Sequence, residues 1–432
     1  MTRLRFLSLV LAMAGLMVSA CGKPDTDLSW SQWRGADGSG ITEKTDLPLH
    51  WRKDGAGIKW AAELDGAGTS SPVVAGGQVF VTSATTAVVG KPIEINVESF
   101  DLASGELGWR TTIATRNRER MHRMNSSAGP TPASDGEHLF AYVGSHLAAL
   151  TMDGDIVWVQ EIDPNYLAES RYGAGSSVLL YGDMVVILRD RERVDDALVG
   201  WMAAYDKASG EQVWRKKIDD SCCSYVTPLV IEGAAGDELF VVLAGYVASY
   251  DPASGKRLWR RKQEIAQPVA SPVAEGDLLC VASGAHGHRQ ARCWEKVTED
   301  DQTVWRDLWK HQKWVGDTSS PVLVDGRLYL LTEKGILRSI DARTGKLLWQ
   351  KRLAAEGYRA SLVAGESRLY ALGQAGSVSV VSQADGETLA VNSMPEATYV
   401  ASPGVAGECL LIRSNARLYC VGGTDAPAPA GS

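Results

Sequence analysis

The sequence predicts an all-β fold, an eight-bladed β-propeller, on three observations. A tryptophan-marked segment recurs along the 432 residues, hairpin patterns fill the intervals, and an unmatched strand near the front complements an incomplete unit at the rear. Length alone would suggest two or three domains, but an internal repeat of this period overrides that expectation.

The mark keeps one spacing in "DLASGELGW" (101–109), "DKASGEQVW" (206–214), "DPASGKRLW" (251–259), "DARTGKLLW" (341–349) and the decayed "SQADGETLA" (382–390). A shortened copy, "DGDIVW", ends at Trp158, a degenerate one ends at Trp309, and "GIKW" places Trp60 alone near the front. Asp suits such a turn because its side chain bonds the turn backbone, and Gly because it takes the left-handed conformation. Trp then offers a large flat face to the neighbouring unit. Between marks lie strand pairs split by a Gly turn: "SSPVVAGGQVFVTS", "ASPVAEGDLLCVAS", "SSPVLVDGRLYLLT" and "ASPGVAGECLLIRS". Alternating apolar residues around such turns signal hairpins, so each unit supplies about four strands, a propeller blade.

Eight hairpins follow Ser70, the last ending at "ARLYCVGG" without its own Trp strand, while "GIKWAAEL" (57–64) has no hairpin before it. Joining the two completes an eighth blade and removes the exposed edges of an open array. Seven blades with an accessory strand, or a β-solenoid, are the alternatives.

At the front, Arg3 and Arg5, the apolar stretch from Phe6 to Val18, and Ser19-Ala20 follow the order of an export signal over residues 1–20. The apolar run is shorter than the roughly 20 residues a membrane span needs. Val18-Ser19-Ala20-Cys21 resembles a bacterial lipobox, which implies lipidation of Cys21 and a membrane anchor. Gly22 after the cysteine favours the outer membrane by the same resemblance. Residues 21–32 then form the lipidated N-terminus and tether, 33–424 the propeller, and 425–432 a disordered tail. Losing Arg3 and Arg5 with the signal takes the formal charge from −8 to −10. An acidic exported chain is a poor match for a phosphate backbone, which excludes nucleic acid as a partner.

Six cysteines remain after Cys21, in a compartment that permits disulfides. Cys409 and Cys420 flank "LLIRSNARLY", and a turn at Ser414-Asn415 would set them directly opposite. Cys280 and Cys293 are likewise symmetric about a loop near His286. Directly opposed strand residues lie within the reach of a disulfide, so each pair is either a bridge or two small buried thiols. The adjacent Cys222 and Cys223 could form a strained ring, a redox pair or inert thiols, with structural use the default.

The turns between the first two strands of each unit are short, and the extra residues sit in 84–94, 116–125, 190–200 and 284–291. In a four-stranded blade those loops and links emerge on one face, where binding is expected. Candidate rim residues there are Arg116, Arg118, Arg120, His122 and Arg123, a basic stretch suited to an anionic partner. Cys222, Cys223 and Tyr225 stand at the link entering "YVTPLVI". His311 and Lys313 enter the sixth blade. His286 and His288 lack a carboxylate or cysteine partner, so no metal site is expected.

The "D-x-x-[ST]-G-x-x-x-W" copies resemble the PQQ-type repeats of quinoprotein dehydrogenases and of the outer-membrane barrel-assembly lipoprotein BamB. "SQWRGADGSG" (31–40), "YGAGSSVLLYGDMVVI" (172–187) and "LWKHQKWVGDTSSPVL" (308–323) are similar to the PQQ-binding-like β-propeller repeat proteins, over about Trp30 to Gly423. The resemblance implies the fold strongly and the activity weakly. Quinoprotein dehydrogenases carry a vicinal disulfide, a calcium site and a catalytic Asp. Here Ser224, Tyr225, Val226 and Thr227 follow the cysteine pair in place of the family's Asp, Val and Asn-Arg segment. No matching calcium constellation stands on the rim, so no cofactor and no catalytic residue are expected, with PQQ and calcium kept as the alternative. The expected function is a lipid-tethered periplasmic scaffold docking an envelope protein, in the manner implied by BamB. A small-ligand or glycan-binding propeller is a further alternative.

Overall fold

A computed structural model of the chain describes residues 30–422 except 45, 86–91, 117–124, 164–172, 195–196, 219–223, 234–235, 285–287, 300–301 and 355–356. The signal, Cys21 and the C-terminal tail lie outside the described residues. Eight four-stranded antiparallel sheets follow one another along the chain. Blades one to seven span 73–116, 133–161, 179–218, 229–262, 273–311, 322–352 and 363–393. Blade eight takes its three inner strands from 404–421 and its outer strand, Ile58–Glu63, from the front of the chain. Trp60 pairs with Cys420, Ala61 with Tyr419, and Glu63 with Arg417. The eight marks, Trp60 to Ala390, all fall on outer strands.

The repeat works through contacts between blades. The Asp101 carboxylate accepts the Ser104 N–H and hydroxyl, both at 2.8 Å, and Asp206 and Asp341 do the same with Ser209 and Thr344. The turn so formed brings its Gly onto the face of the preceding blade's Trp. A Cβ on Gly105, Gly154, Gly210, Gly255, Gly345 or Gly386 would lie 2.4 to 2.7 Å from a Trp ring atom. The indole N–H of the same Trp donates to a carbonyl of that turn, as from Trp109 to Met152 at 2.8 Å and from Trp158 to Lys207 at 2.9 Å. Aspartate, glycine and tryptophan are therefore one joint, repeated around the ring. Within blades, Phe80, Phe140, Phe240 and Tyr329 pack against Trp109, Trp158, Trp259 and Trp349 with ring centroids 5.8 to 6.3 Å apart.

Those turn hydrogen bonds hold the Asp101, Asp206 and Asp341 carboxyls below their ordinary pKa. A lowered folded pKa contributes stability above the unfolded value, lost as pH falls through the folded one. Denaturation midpoints should therefore decline from about pH 4 downward, and less in Ser104→Ala, Ser209→Ala and Thr344→Ala combined.

A second closure lies nearer the axis. The inner strands diverge too far to pair with each other, so the N–H at each strand's start needs another acceptor. Each finds the hydroxyl of the next blade: Ser71 to Thr131, Thr131 to Ser177, Ser177 to Thr227, and Thr227 to Ser271. The series continues through Ser320, Ser361 and Ser402, and Ser402 N–H returns to the Ser71 hydroxyl. All eight bonds measure 2.9 to 3.1 Å. Buried Arg413 of blade eight adds a bridge across the seam, donating to the carbonyls of Ser70 at 3.0 Å and Thr82 at 2.7 Å.

Cys280 and Cys293 are directly opposed in blade five and joined by a disulfide. The double variant Cys280→Ala/Cys293→Ala is expected to lose about 2–3 kcal/mol in urea denaturation, the scale for a loop of this length. Cys409 and Cys420 depart from the expected opposition. Their hairpin turn sits one residue later than predicted, so Leu411 faces Cys420 and both thiols are free and buried. The segment 190–200 also differs: apart from 195–196, outside the described residues, it belongs to two long paired strands, Met184–Val194 and Ala197–Asp206. The turn between the strands Leu229–Ile231 and Glu238–Leu243 is longer than its short counterparts.

Candidate functional site

The hydroxyl ring marks the neck of a central channel. Strand alternation points the residue two before each hydroxyl toward the axis. Those eight positions, Thr69, Gly129, Gly175, Tyr225, Val269, Thr318, Arg359 and Val400, all line one funnel of about 810 Å³. The links between blades and the second-to-third-strand loops emerge on this face, and described residues of two of them, Asn125 and Arg289, line the funnel.

The far end is sealed by the chain's own front. Residues 30–42 cross the channel: Trp30 C=O accepts Val74 N–H in blade one, Ser31 C=O accepts Ser134 N–H in blade two, and Gly40 C=O accepts Ala364 N–H in blade seven. Arg34, 2% exposed, donates to Ser39 C=O at 2.7 Å and Pro321 C=O at 2.5 Å. Burial drives its pKa down to about 9 against the opposing pull of Asp37. Gly40 is obligatory there, because a Cβ would lie 2.6 Å from the Arg34 guanidinium and φ is +77°. Trp33 beside it forms part of the funnel wall. Trp30 and Ser31, which the sequence assigned to the tether, are thus buried in this strap.

Charge in the funnel is paired. Arg359 lies 3.8 Å from Asp317, and Arg289 lies 3.0 Å from Glu333 while also donating to Val315 C=O at 3.3 Å. Burial pushes the Glu333 carboxyl up, but backbone hydrogen bonds and Arg289 outweigh it and hold the pKa below its ordinary value. Thr69 Oγ1 donates to Asn125 Oδ1 at 3.1 Å. The lining is therefore hydroxyl, amide and guanidinium over small apolar patches. That composition can receive a peptide loop or a polar small molecule. Calcium wants several free carboxylate and amide oxygens. Among the described residues Asp317 and Glu333 each sit against an arginine, and no three His, Cys, Asp or Glu side chains converge as a metal site. The described donor set does not fit a calcium-held quinone.

Of the residues expected on the rim, Tyr225 lines the funnel, its N–H bonded to Pro268 C=O at 2.8 Å and its Cβ packed where Gly175 has none. His288 is exposed and lowers the Glu264 pKa after the larger effect of Lys310. His311 stands apart from the funnel, donating to Gly345 C=O at 2.9 Å between Trp309 and Trp314, so it serves the blade joint. Lys313 is exposed. Arg116 ends the outer strand Leu107–Arg116, and its side chain lies outside the described residues. Arg118, Arg120, His122, Arg123, Cys222, Cys223 and His286 also lie outside them. Sequence reasoning missed Trp33, Asn125, Asp317 and Arg359. The usable signal was the position two before each ring hydroxyl, legible as "R-x-S" at Arg359.

A PQQ-type family model described as outer membrane protein assembly factor BamB matches residues 94–286 and 196–425. No curated protein sequence matches the chain. Among solved structures, BamB from Moraxella catarrhalis aligns at a TM-score of 0.60 and 15% identity, over 86% of this chain and 99% of that one. Quinohemoprotein alcohol dehydrogenase from Comamonas testosteroni aligns at 0.64 and 11%, over 95% and 83%. A europium-containing methanol dehydrogenase aligns at 0.62 and 11%, over 88% and 89%. Identities this low carry the fold alone.

Proposed function

Because the chain belongs to the family described as outer membrane protein assembly factor BamB, we propose that it is an outer-membrane-associated periplasmic scaffold. It is lipid-anchored at Cys21, non-catalytic, and docks an envelope protein on its funnel face, with barrel assembly as the process served. The observation that carries this reading is the unbroken ring of eight backbone-to-hydroxyl bonds beneath the funnel. A rim fixed in this way loses little conformational freedom on docking, which suits a preformed protein-binding surface. Paired acids in the funnel support binding over calcium-assisted oxidation.

The test places a photoreactive residue at His288 and, separately, at Val400 in the full chain in its native envelope. Asp183, in the short turn of blade three on the opposite face, is the control. The expected result is one and the same envelope protein captured from both funnel-face positions and not from Asp183. A free funnel face, with a small molecule recovered from the purified protein, would contradict the scaffold and favour a ligand-binding propeller.

A further inference from the structure

The free thiols of blade eight border the hydrophobic core on one side and a surface cleft on the other. Cys409 starts the strand Cys409–Arg413, and Cys420 lies in Arg417–Val421. Since Leu411 faces Cys420, residues 409 and 420 share one face of the sheet as diagonal neighbours. Both line a cleft of about 580 Å³ between blade eight and the Asp101–Ala103 turn of blade one. At its edge Lys59, on the closing strand, lines the same cleft and bonds Glu408, the neighbour of Cys409, at 3.1 Å. Gly422 leaves room for that thiol, since a Cβ there would lie 2.9 Å from Cys409 Sγ.

An ammonium group, a second thiol and an open cleft are the features that distinguish a nucleophilic cysteine from an inert buried one. Neighbouring Cys420 and Lys59 draw the Cys409 thiol below its ordinary pKa against the opposing effect of burial. The neighbouring Cys409 and its own deeper burial push the Cys420 thiol up.

We propose that Cys409 and Cys420 form a dithiol exchange site for small disulfides, with Cys409 attacking, Cys420 resolving and Lys59 positioning. The Cys409 thiolate attacks one sulfur of the small disulfide. That S–S bond breaks, a mixed disulfide forms, and one thiolate leaves to be protonated by solvent. Cys420 then loses its proton and attacks the Cys409 sulfur, releasing the second small thiol and closing a Cys409–Cys420 bond. Two electrons and two protons pass from the pair to the small disulfide. The site is distinct from the funnel and does not depend on the scaffold reading.

The full chain, reduced and freed of reductant, is mixed with glutathione disulfide, alkylated at intervals and mapped by peptide mass spectrometry. Wild type should yield the linked Cys409 and Cys420 peptides, and Cys420→Ser should accumulate glutathione on Cys409. Cys409→Ser should leave Cys420 reacting at least about tenfold more slowly. Lys59→Gln should slow the first step about threefold or more near neutral pH and move its rate–pH profile upward. Glutathione appearing first on Cys420 would overturn the proposal. So would an unchanged pH profile in Lys59→Gln, or reaction that occurs only in denaturant.

Discussion

Trp60→Ala is expected to lower the unfolding free energy by about 3–5 kcal/mol, the scale for removing a buried Trp. The indole is 9% exposed, lies on Gly105 where a Cβ would stand 2.5 Å away, and donates to Leu102 C=O at 2.9 Å. Truncation opens a cavity that cannot collapse, because its far wall is the rigid Asp101 turn. Trp60 also differs from every other mark in its place along the chain. Its strand comes from the front and pairs with Arg417–Val421, so weakening it loosens the one seam that no continuous backbone holds. Urea denaturation should show the lowered midpoint, and hydrogen exchange should rise first at residues 417–421. Trp60→Phe, which keeps most of the packing and loses the N–H bond, should cost about 1 kcal/mol.

Arg189→Met should cost a similar amount, about 3–5 kcal/mol, for an electrostatic reason. Arg189 Nε meets Asp163 Oδ2 at 2.5 Å, with side chains only 3% and 0% exposed. Tyr142 also donates to that carboxylate, at 3.3 Å. Removing the guanidinium leaves a buried carboxylate whose remaining side-chain donor, among the described residues, is the neutral Tyr142 hydroxyl. The double variant Arg189→Met/Asp163→Leu should recover most of the loss, because an apolar pair of similar volume avoids the desolvation cost. The cycle, read by urea denaturation, separates the ion pair from the packing of blades two and three. Surface pairs such as Arg417–Glu63, with side chains 49% and 79% exposed, should contribute little by comparison.

The ring was legible in the sequence wherever one residue type had one mechanical task. Trp, Gly and Asp recur because each blade joint needs a flat ring, a missing Cβ and a turn carboxylate. The count of eight followed from the orphan strand at 57–64 and the unfinished hairpin before Gly423. The irregular blade shows the limit. Trp259 has no following Asp–Gly turn, because the next blade joins its last two strands directly between Glu299 and Gln302. It donates instead to buried Glu238 at 2.9 Å, which Trp305 also meets at 3.3 Å.

The site was less legible. The strap 30–42 has no period, since its shape comes from backbone turns and from Arg34 bonding the carbonyls of nearby Ser39 and of Pro321, far off in sequence, which no local pattern encodes. The cysteine offset in blade eight turned on a single residue. Ser414 Oγ accepts the N–H groups of Ala416 and Arg417, moving the turn one position onward and the facing residue by two. Cys280 and Cys293 escaped such a shift, and their opposition was readable from symmetry alone. The funnel residues were hidden because alternation was followed on the strands and not continued into the links that precede them.

The closed ring is tested most directly by a disulfide placed across its seam. Glu63 and Arg417 are register partners on the closing strand and its neighbour, both exposed at the surface. In a chain carrying Glu63→Cys and Arg417→Cys, with Cys409 and Cys420 replaced by serine, mild oxidation should link residues 63 and 417 within one molecule. Peptide mapping should recover that bond alongside Cys280–Cys293. Recovery of the native bond with residues 63 and 417 unlinked would mean that front and rear do not meet, and the propeller would not be a closed ring of eight.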